Sequence, residues 1–158
     1  LHSVPCEDDI ELGPLSEEVL TDLAPLAEHK DIVLNCSGGA LIIGSDTLLY
    51  RLVFNLVENA IRYSRPGSTV NVSICDNDSH VFLRVEDQGP GIPKQYRESI
   101  FQPFFRLDKS RSRAYGGAGL GLALVWEIAA LHGGTVEVEA SSENGATMLT
   151  TLPKRTAA

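Results

Sequence analysis

The segment from Asp46 to Ser64 constrains this chain more than any other, because Leu49, Leu52, Val53, Leu56, Val57, Ala60 and Ile61 recur there at i, i+3 and i+4. The spacing predicts an amphipathic helix, capped by Ser45 or Asp46 and closed by Ser64, Pro66 and Gly67. Such a stripe must be buried against a second layer. Strands supply it: Val70, Val72 and Ile74 alternate with Asn71 and Ser73, then Val81, Leu83 and Val85 with Phe82 and Arg84. Asp76-Asn77-Asp78-Ser79 between them is turn chemistry, so a hairpin is expected. Val136 and Val138 alternate with Glu137 and Glu139, and Ala146 to Leu152 forms a last strand across the Ser141 to Gly145 turn.

Three further elements complete the pattern. Val19, Leu20, Leu23, Leu26 and Ala27 predict a helix that starts at Glu17 after an N-cap at Ser16. Ile32 to Leu34 and Leu41 to Ile43, separated by Ser37-Gly38-Gly39, read as a second hairpin. Leu120 to Leu131 is apolar almost all round and stopped by Gly133-Gly134, which predicts a buried helix. Residues 1–9, broken by Pro5, read as the remnant of a linker, residues 10–154 as one domain and 155–158 as a tail. The expected class is α+β: a two-layer sandwich with helices on one face of a mixed, mostly antiparallel sheet.

Charge and composition exclude several functions. Thirteen Lys and Arg stand against 21 Asp and Glu, a net charge of −8, so nucleic acid and anionic membrane surfaces meet overall repulsion and are not expected partners. An anionic ligand would need a local site. No run approaches ~18 consecutive apolar residues and no basic-then-apolar leader opens the chain, so neither a membrane span nor a signal peptide is expected. Cys6, Cys36 and Cys75 form no C-x-x-C pair, which argues for a reducing, cytosolic setting rather than a disulfide framework or structural zinc. His2, His29, His80 and His132 are scattered and read as structural or surface residues.

Four segments carry candidate chemistry. On the long helix, Asn55, Glu58, Asn59 and Arg62 fall within about 100° of one another, opposite the apolar stripe. Taken alone the row is equally a solvated face, but its carboxamide oxygens suit a hard cation such as Mg²⁺, with Arg62 one turn on to meet a terminal phosphate. Asp87-Gln88-Gly89-Pro90-Gly91-Ile92 follows a strand directly. It is either a plain turn or a pocket mouth, where an ionised Asp87 accepts and cannot donate and so selects an amino group such as that of adenine. Gly116-Gly117-Ala118-Gly119-Leu120-Gly121 runs into the apolar helix and is either a hinge or an anion site of unpaired N–H groups. Phe101-Gln102-Pro103-Phe104-Phe105-Arg106 sits in a Gly/Pro/Arg/Ser-rich loop with Lys109, Arg111 and Arg113, either an ordinary apolar cluster or an anchor with a cationic fringe.

In order and spacing these segments resemble the ATP-binding catalytic domain of sensor histidine kinases, within the gyrase, chaperone, histidine kinase and MutL ATPase group. Asn55 to Ser64 resembles the N box, Asp87 to Ile92 the G1 box, Phe101 to Arg106 the F box and Gly117 to Gly121 the G2 box. The resemblance implies a Bergerat-type sandwich with ATP between the N-box helix and a lid from about Pro93 to Ala118. It implies that Asn59, assisted by Asn55, holds Mg²⁺, that Asp87 reads the adenine amino group, and that Arg62, Tyr63 and Arg106 contact phosphates or nucleoside. Gly89, Gly91 and Ile92 would line the base, and Gly117, Gly119, Leu120, Gly121 and Leu122 the phosphates. Hydrolysing members of the group carry a Glu where this chain has Asn55, and an amide cannot take a proton from water. Glu58 resembles the acidic residue that polarises the incoming imidazole. Nothing in the chain resembles the phosphoacceptor segment. The resemblance therefore implies a monomeric fragment that binds Mg·ATP without phosphorylating itself. In the intact kinase, a homodimer, it would serve its own dimerisation domain and then a response regulator, as the cytoplasmic part of a membrane-bound sensor with no membrane contact of its own. The alternatives are an anti-sigma-type serine kinase and a nucleotide-binding regulatory module without transfer.

Overall fold

A computed structural model describes residues 8–105 and 121–154. Its elements are β1 (Asp8–Glu11), α1 (Leu12–His29), β2 (Val33–Gly38), β3 (Leu41–Gly44), α2 (Asp46–Tyr63), β4 (Thr69–Asp76), β5 (His80–Glu86), α3 (Gly121–Leu131), β6 (Thr135–Ser142) and β7 (Gly145–Pro153). Two short 3₁₀ turns, Lys94–Tyr96 and Ser99–Phe101, follow β5. The main sheet runs β2-β4-β5-β7-β6, and only the β2–β4 pair is parallel. The sheet is thus mixed and mostly antiparallel, as expected.

The alternation in the strands decides which face is buried. Val70, Val72, Ile74, Val81, Leu83, Val85, Met148 and Leu152 point into one core with the stripe of α2, and α1 and α3 complete that layer. The opposite face of the sheet carries Asn71, Ser73, Phe82, Arg84 and Glu137, with a cross-strand ion pair from Arg84 to Glu139 at 2.7 Å. The β4–β5 hairpin forms across the expected turn, where Asn77 Oδ1 accepts from the N–H groups of Ser79 and His80.

Four expectations are corrected. β2 and β3 do not form a hairpin: β2 pairs with β4 and β3 with β1. Gly38, with φ +80°, is there for a close approach rather than a tight turn, since a Cβ on it would lie 2.0 Å from the Ile74 carbonyl oxygen. β1 takes up Asp8 and Asp9, which the sequence assigns to a linker; they pair with Gly44 and Ile43. α1 starts at Leu12, not Glu17, and Ser16 is buried inside it rather than capping it. Pro14 is compatible with that start because the first-turn N–H groups have no intrahelical acceptor. Finally, α3 is not buried all round: Val125, Ile128 and Ala129 are buried, whereas Leu124 and Trp126 are 38% and 49% exposed.

Helix α2 is fixed at both ends. Ser45 Oγ accepts from Leu48 N–H at 3.2 Å, the expected N-cap. The Ser45 N–H donates to Nε2 of the buried His132, just beyond α3, at 3.1 Å. With Nε2 accepting, the ring proton is on Nδ1, which lies 2.8 Å from the Ile128 carbonyl. At the other end Lys30 Nζ donates to the Ile61 and Arg62 carbonyls at 3.1 and 2.6 Å, a cation on the negative helix terminus.

His132→Ala leaves a buried Ser45 N–H without a partner, so it should lower the unfolding free energy by about 1–3 kcal/mol. Denaturant unfolding at constant slope checks this; an unchanged midpoint would show that the imidazole does not hold the cap.

Candidate functional site

The site is built around the end of β5. Asp87 continues the inward phase of Val81, Leu83 and Val85, which places a carboxylate on the buried face. Its Oδ1 accepts from Gly89 N–H at 3.0 Å and from Ala146 N–H at 3.1 Å, while its own N–H donates to the Ala146 carbonyl at 2.9 Å. The side chain thus takes the place of a ladder carbonyl opposite β7. Burial pushes the Asp87 carboxyl above the ordinary carboxylate range, and the two backbone N–H bonds oppose that shift only in part.

The loop after Asp87 is held by its neighbours. Gln88 N–H donates to the buried Ser64 Oγ at 3.1 Å, and Gln88 Oε1 accepts from Thr69 N–H at 2.6 Å. Arg65 grips the Gln88 carbonyl through its backbone and through Nη1, both at 3.3 Å, and reaches the Glu143 carbonyl with Nη2 at 2.7 Å. Gly91 has φ +81°, and a Cβ there would meet the Ser142 carbonyl oxygen at 2.0 Å, so no other residue fits. Ile92 N–H donates to Ser141 Oγ at 2.7 Å. An open depression of about 310 Å³ beside the loop is lined by Asp87, Gln88, Ser141, Gly145 and Ala146, among others, and by neither Asn55 nor Asn59.

The polar row on α2 is not uniform. Asn55 is 9% exposed, whereas Glu58, Asn59 and Arg62 are half-buried. Asn55 Nδ2 donates to the Gly121 carbonyl at 3.3 Å, so the predicted amide meets the first residue of α3 directly. Among the described residues nothing lies within 4 Å of where a Cβ on Gly121 would stand, and Leu122 is half-buried against the core. Tyr63, at the end of α2, is exposed. The structure therefore joins Asn55 to Gly121, and joins Asp87 to the end of α2 through Gln88 and Ser64. Arg106, Gly117, Gly119 and Leu120 lie outside the described residues, as do Lys109, Arg111 and Arg113.

Of the F-box aromatics, Phe101 is buried and its ring lies 5.6 Å from Trp126 on α3, while Phe105 lies 5.6 Å from Tyr96. Phe104 is 68% exposed, so the cluster anchors on the body through Phe101 and Phe105 only.

Among the described residues no group of three or more His, Cys, Asp or Glu could hold a metal ion. The donor set on α2 nonetheless fits Mg²⁺: amide oxygens are hard ligands, and Mg²⁺ fills its remaining positions with water and phosphate rather than a protein cage. Sequence reasoning missed Ser64 Oγ, Ser141 Oγ and the Ala146 backbone as parts of the site. Ser64 ends the helix pattern and could have been noticed; Ala146 acts through its backbone, which leaves no trace in residue type.

Comparison with known proteins follows the same lines. Residues 44–156 match the family described as histidine kinase-, DNA gyrase B- and HSP90-like ATPase. The sensor-like histidine kinase SenX3 of Mycobacterium tuberculosis is 37% identical over 152 residues, covering 95% of this chain and 37% of that protein. The chain therefore spans little more than a third of that relative. Among solved structures, the mycobacterial sensor histidine kinase MprB superimposes with a TM-score of 0.82 at 31% identity, covering 94% of this chain and 98% of that one. Full-length ShkA in complex with AMPPNP gives a TM-score of 0.85 at 28% identity, over 99% of this chain and 32% of that one.

A raised folded-state pKa means that Asp87 favours the fold below the carboxyl's unfolded value and opposes it as pH rises through the folded one. Asp87→Asn keeps an oxygen acceptor for both N–H groups and removes the buried charge. The variant should be at least as stable as the native chain at pH 7, with the difference closing near pH ~4, where the unfolded carboxyl protonates. Thermal unfolding at the two pH values checks this; a variant less stable at pH 7 would show that the charge itself holds the loop.

Proposed function

The chain belongs to the histidine kinase-, DNA gyrase B- and HSP90-like ATPase family, and on that premise we propose that it is the catalytic domain of a sensor histidine kinase, binding ATP with Mg²⁺ and presenting the γ-phosphoryl group to a histidine on a separate dimerisation domain. Its sandwich of helices on a mixed sheet is the Bergerat fold of the histidine kinase catalytic domains that it superimposes on. The observation that carries the reading is Asp87. A buried carboxylate whose Oδ1 is already committed to two backbone N–H groups offers Oδ2 as an acceptor only, which matches the exocyclic amino group of adenine and repels the guanine carbonyl.

The other residues take roles that phosphoryl transfer asks of a protein, namely positioning and neutralising charge. Asn59, with Asn55, would hold Mg²⁺, which when bound neutralises phosphate charge. Arg62, Tyr63 and Arg106 would meet phosphates or nucleoside, Gly89, Gly91 and Ile92 would line the base, and Gly117, Gly119, Leu120, Gly121 and Leu122 would collar the phosphates. Glu58 would accept the proton of the incoming imidazole as its nitrogen bonds to phosphorus and the bond to the ADP oxygen breaks. Asn55 stands where a water-activating carboxylate would be needed, so hydrolysis should be slow. The phosphohistidine would then serve an aspartate on a response regulator. We place the catalytic domain at residues 10–154 together with Asp8 and Asp9 of β1, on the cytoplasmic side of a membrane-bound, homodimeric parent. Among the described residues no helix is long and apolar enough to cross a membrane.

Mixing the chain with a separately made dimerisation hairpin and γ-labelled ATP should place label on histidine; label on serine, or none, would contradict the proposal. In calorimetry Asn59→Ala should abolish the Mg²⁺ dependence of ATP binding, and survival of that dependence would remove the residue from the metal site.

A further inference from the structure

We propose that Ser141, which lies outside every motif of the sequence, is a positioning residue that fixes the direction of the Asp87 carboxylate. The inference rests on reading Asp87 as the group that selects adenine.

The register of β6 against β7 shifts between Val138 and Ala140: Val138 faces Met148, Ala140 faces Thr147 and Ser141 faces Ala146. Without the extra residue, Ala140 would oppose Ala146. Paired residues share a face of the sheet, and Met148 and Ala146 are on the face that carries Asp87. The bulge therefore delivers a hydroxyl to that face, opposite the residue whose N–H holds the carboxylate. Re-aiming one side chain is what a bulge does mechanically.

That hydroxyl serves both backbone groups of Ile92, accepting from its N–H at 2.7 Å and donating to its carbonyl at 3.3 Å. One hydroxyl has the single donor and the spare lone pair this requires. The loop from Asp87 to Ile92 is thus tied at its start by Ser64, Arg65 and Ala146, and at its end by Ser141, which alone takes the Ile92 N–H among the described residues, while Arg97 Nε shares the Ile92 carbonyl at 3.4 Å. Between the ties lies the buried Gly89, whose N–H is one of the two donors to Asp87 Oδ1. Pro90, next in the loop, has no N–H to add. Releasing Ile92 loosens Gly89, and Asp87 then keeps only the Ala146 donor. Ser141 acts on the ligand through Ile92, Gly89 and Asp87.

Two measurements on Ser141→Ala test this. Amide exchange in the nucleotide-free chain should accelerate about tenfold or more at Ile92 and at Gly89, while the thermal midpoint stays within a few degrees of native. Calorimetry should show the preference for ATP over GTP falling about five- to tenfold, the scale of one lost hydrogen bond, with ATP affinity bearing most of the loss. Ser141→Thr, which keeps the hydroxyl, should restore both readouts. The proposal is overturned if Gly89 exchanges at the native rate in Ser141→Ala, or if ATP and GTP affinities fall in parallel and threonine restores neither. A native chain that shows no preference for ATP, yet whose Gly89 responds to Ser141→Ala, would end the reading of Asp87 as base selector and uphold the positioning of its carboxylate.

Discussion

The paired hydrogen bonds from Ala146 and Gly89 to one oxygen of Asp87 are the constraint around which this end of the molecule is arranged. A buried carboxylate is costly unless its oxygens are satisfied. Here the satisfaction comes from backbone N–H groups on two different segments, so the strand order matters: β7 must lie beside β5, in a register that brings Glu86 opposite Thr147, for Ala146 to reach Asp87 at all. The sheet topology is therefore part of the site, since it supplies one of the two donors.

Helix α2 couples this constraint to the rest of the domain. Its apolar stripe packs on the sheet, its start is tied to the end of α3 through Ser45 and His132, and its end is tied to the glycine loop through Ser64 and Gln88. Midway along it, Asn55 reaches the first residue of α3. Since Gly121 meets the middle of α2 and His132 meets its start, the two helices run antiparallel. An element held at both ends and in the middle presents its polar side chains from a rigid base, which suits the positioning role proposed for them.

How much of this was legible in the sequence depended on the range of the interactions. The period of α2, the alternation of β4 and β5 and the turn at Asn77 are local, and each forms where the pattern puts it. The β2–β4 pairing joins residues more than 30 positions apart, so Ser37-Gly38-Gly39 looked like a hairpin turn when Gly38 serves a backbone approach to Ile74. The small β1 strand carries two aspartates and only one buried apolar residue, Ile10, too little for a periodic signal. In the site, Asp87, Gly89 and Gly91 stood out because their residue types carry the constraint. Ser141 did not, because its position depends on a bulge that nothing in the local alternation announces. Asn55 stood out as a polar residue in a helix, while its bond to Gly121 became visible only with α3 in place.

On the proposed function, Asp87, the α2 amides and the start of α3 serve one ligand. The most direct measurement is an amide chemical-shift titration of the chain with a non-hydrolysable ATP analogue and Mg²⁺. Gly89, Ile92, Asn55, Asn59 and Gly121 should shift together and saturate with one common dissociation constant. Shifts confined to one of these segments, or segments that saturate at different concentrations, would contradict it.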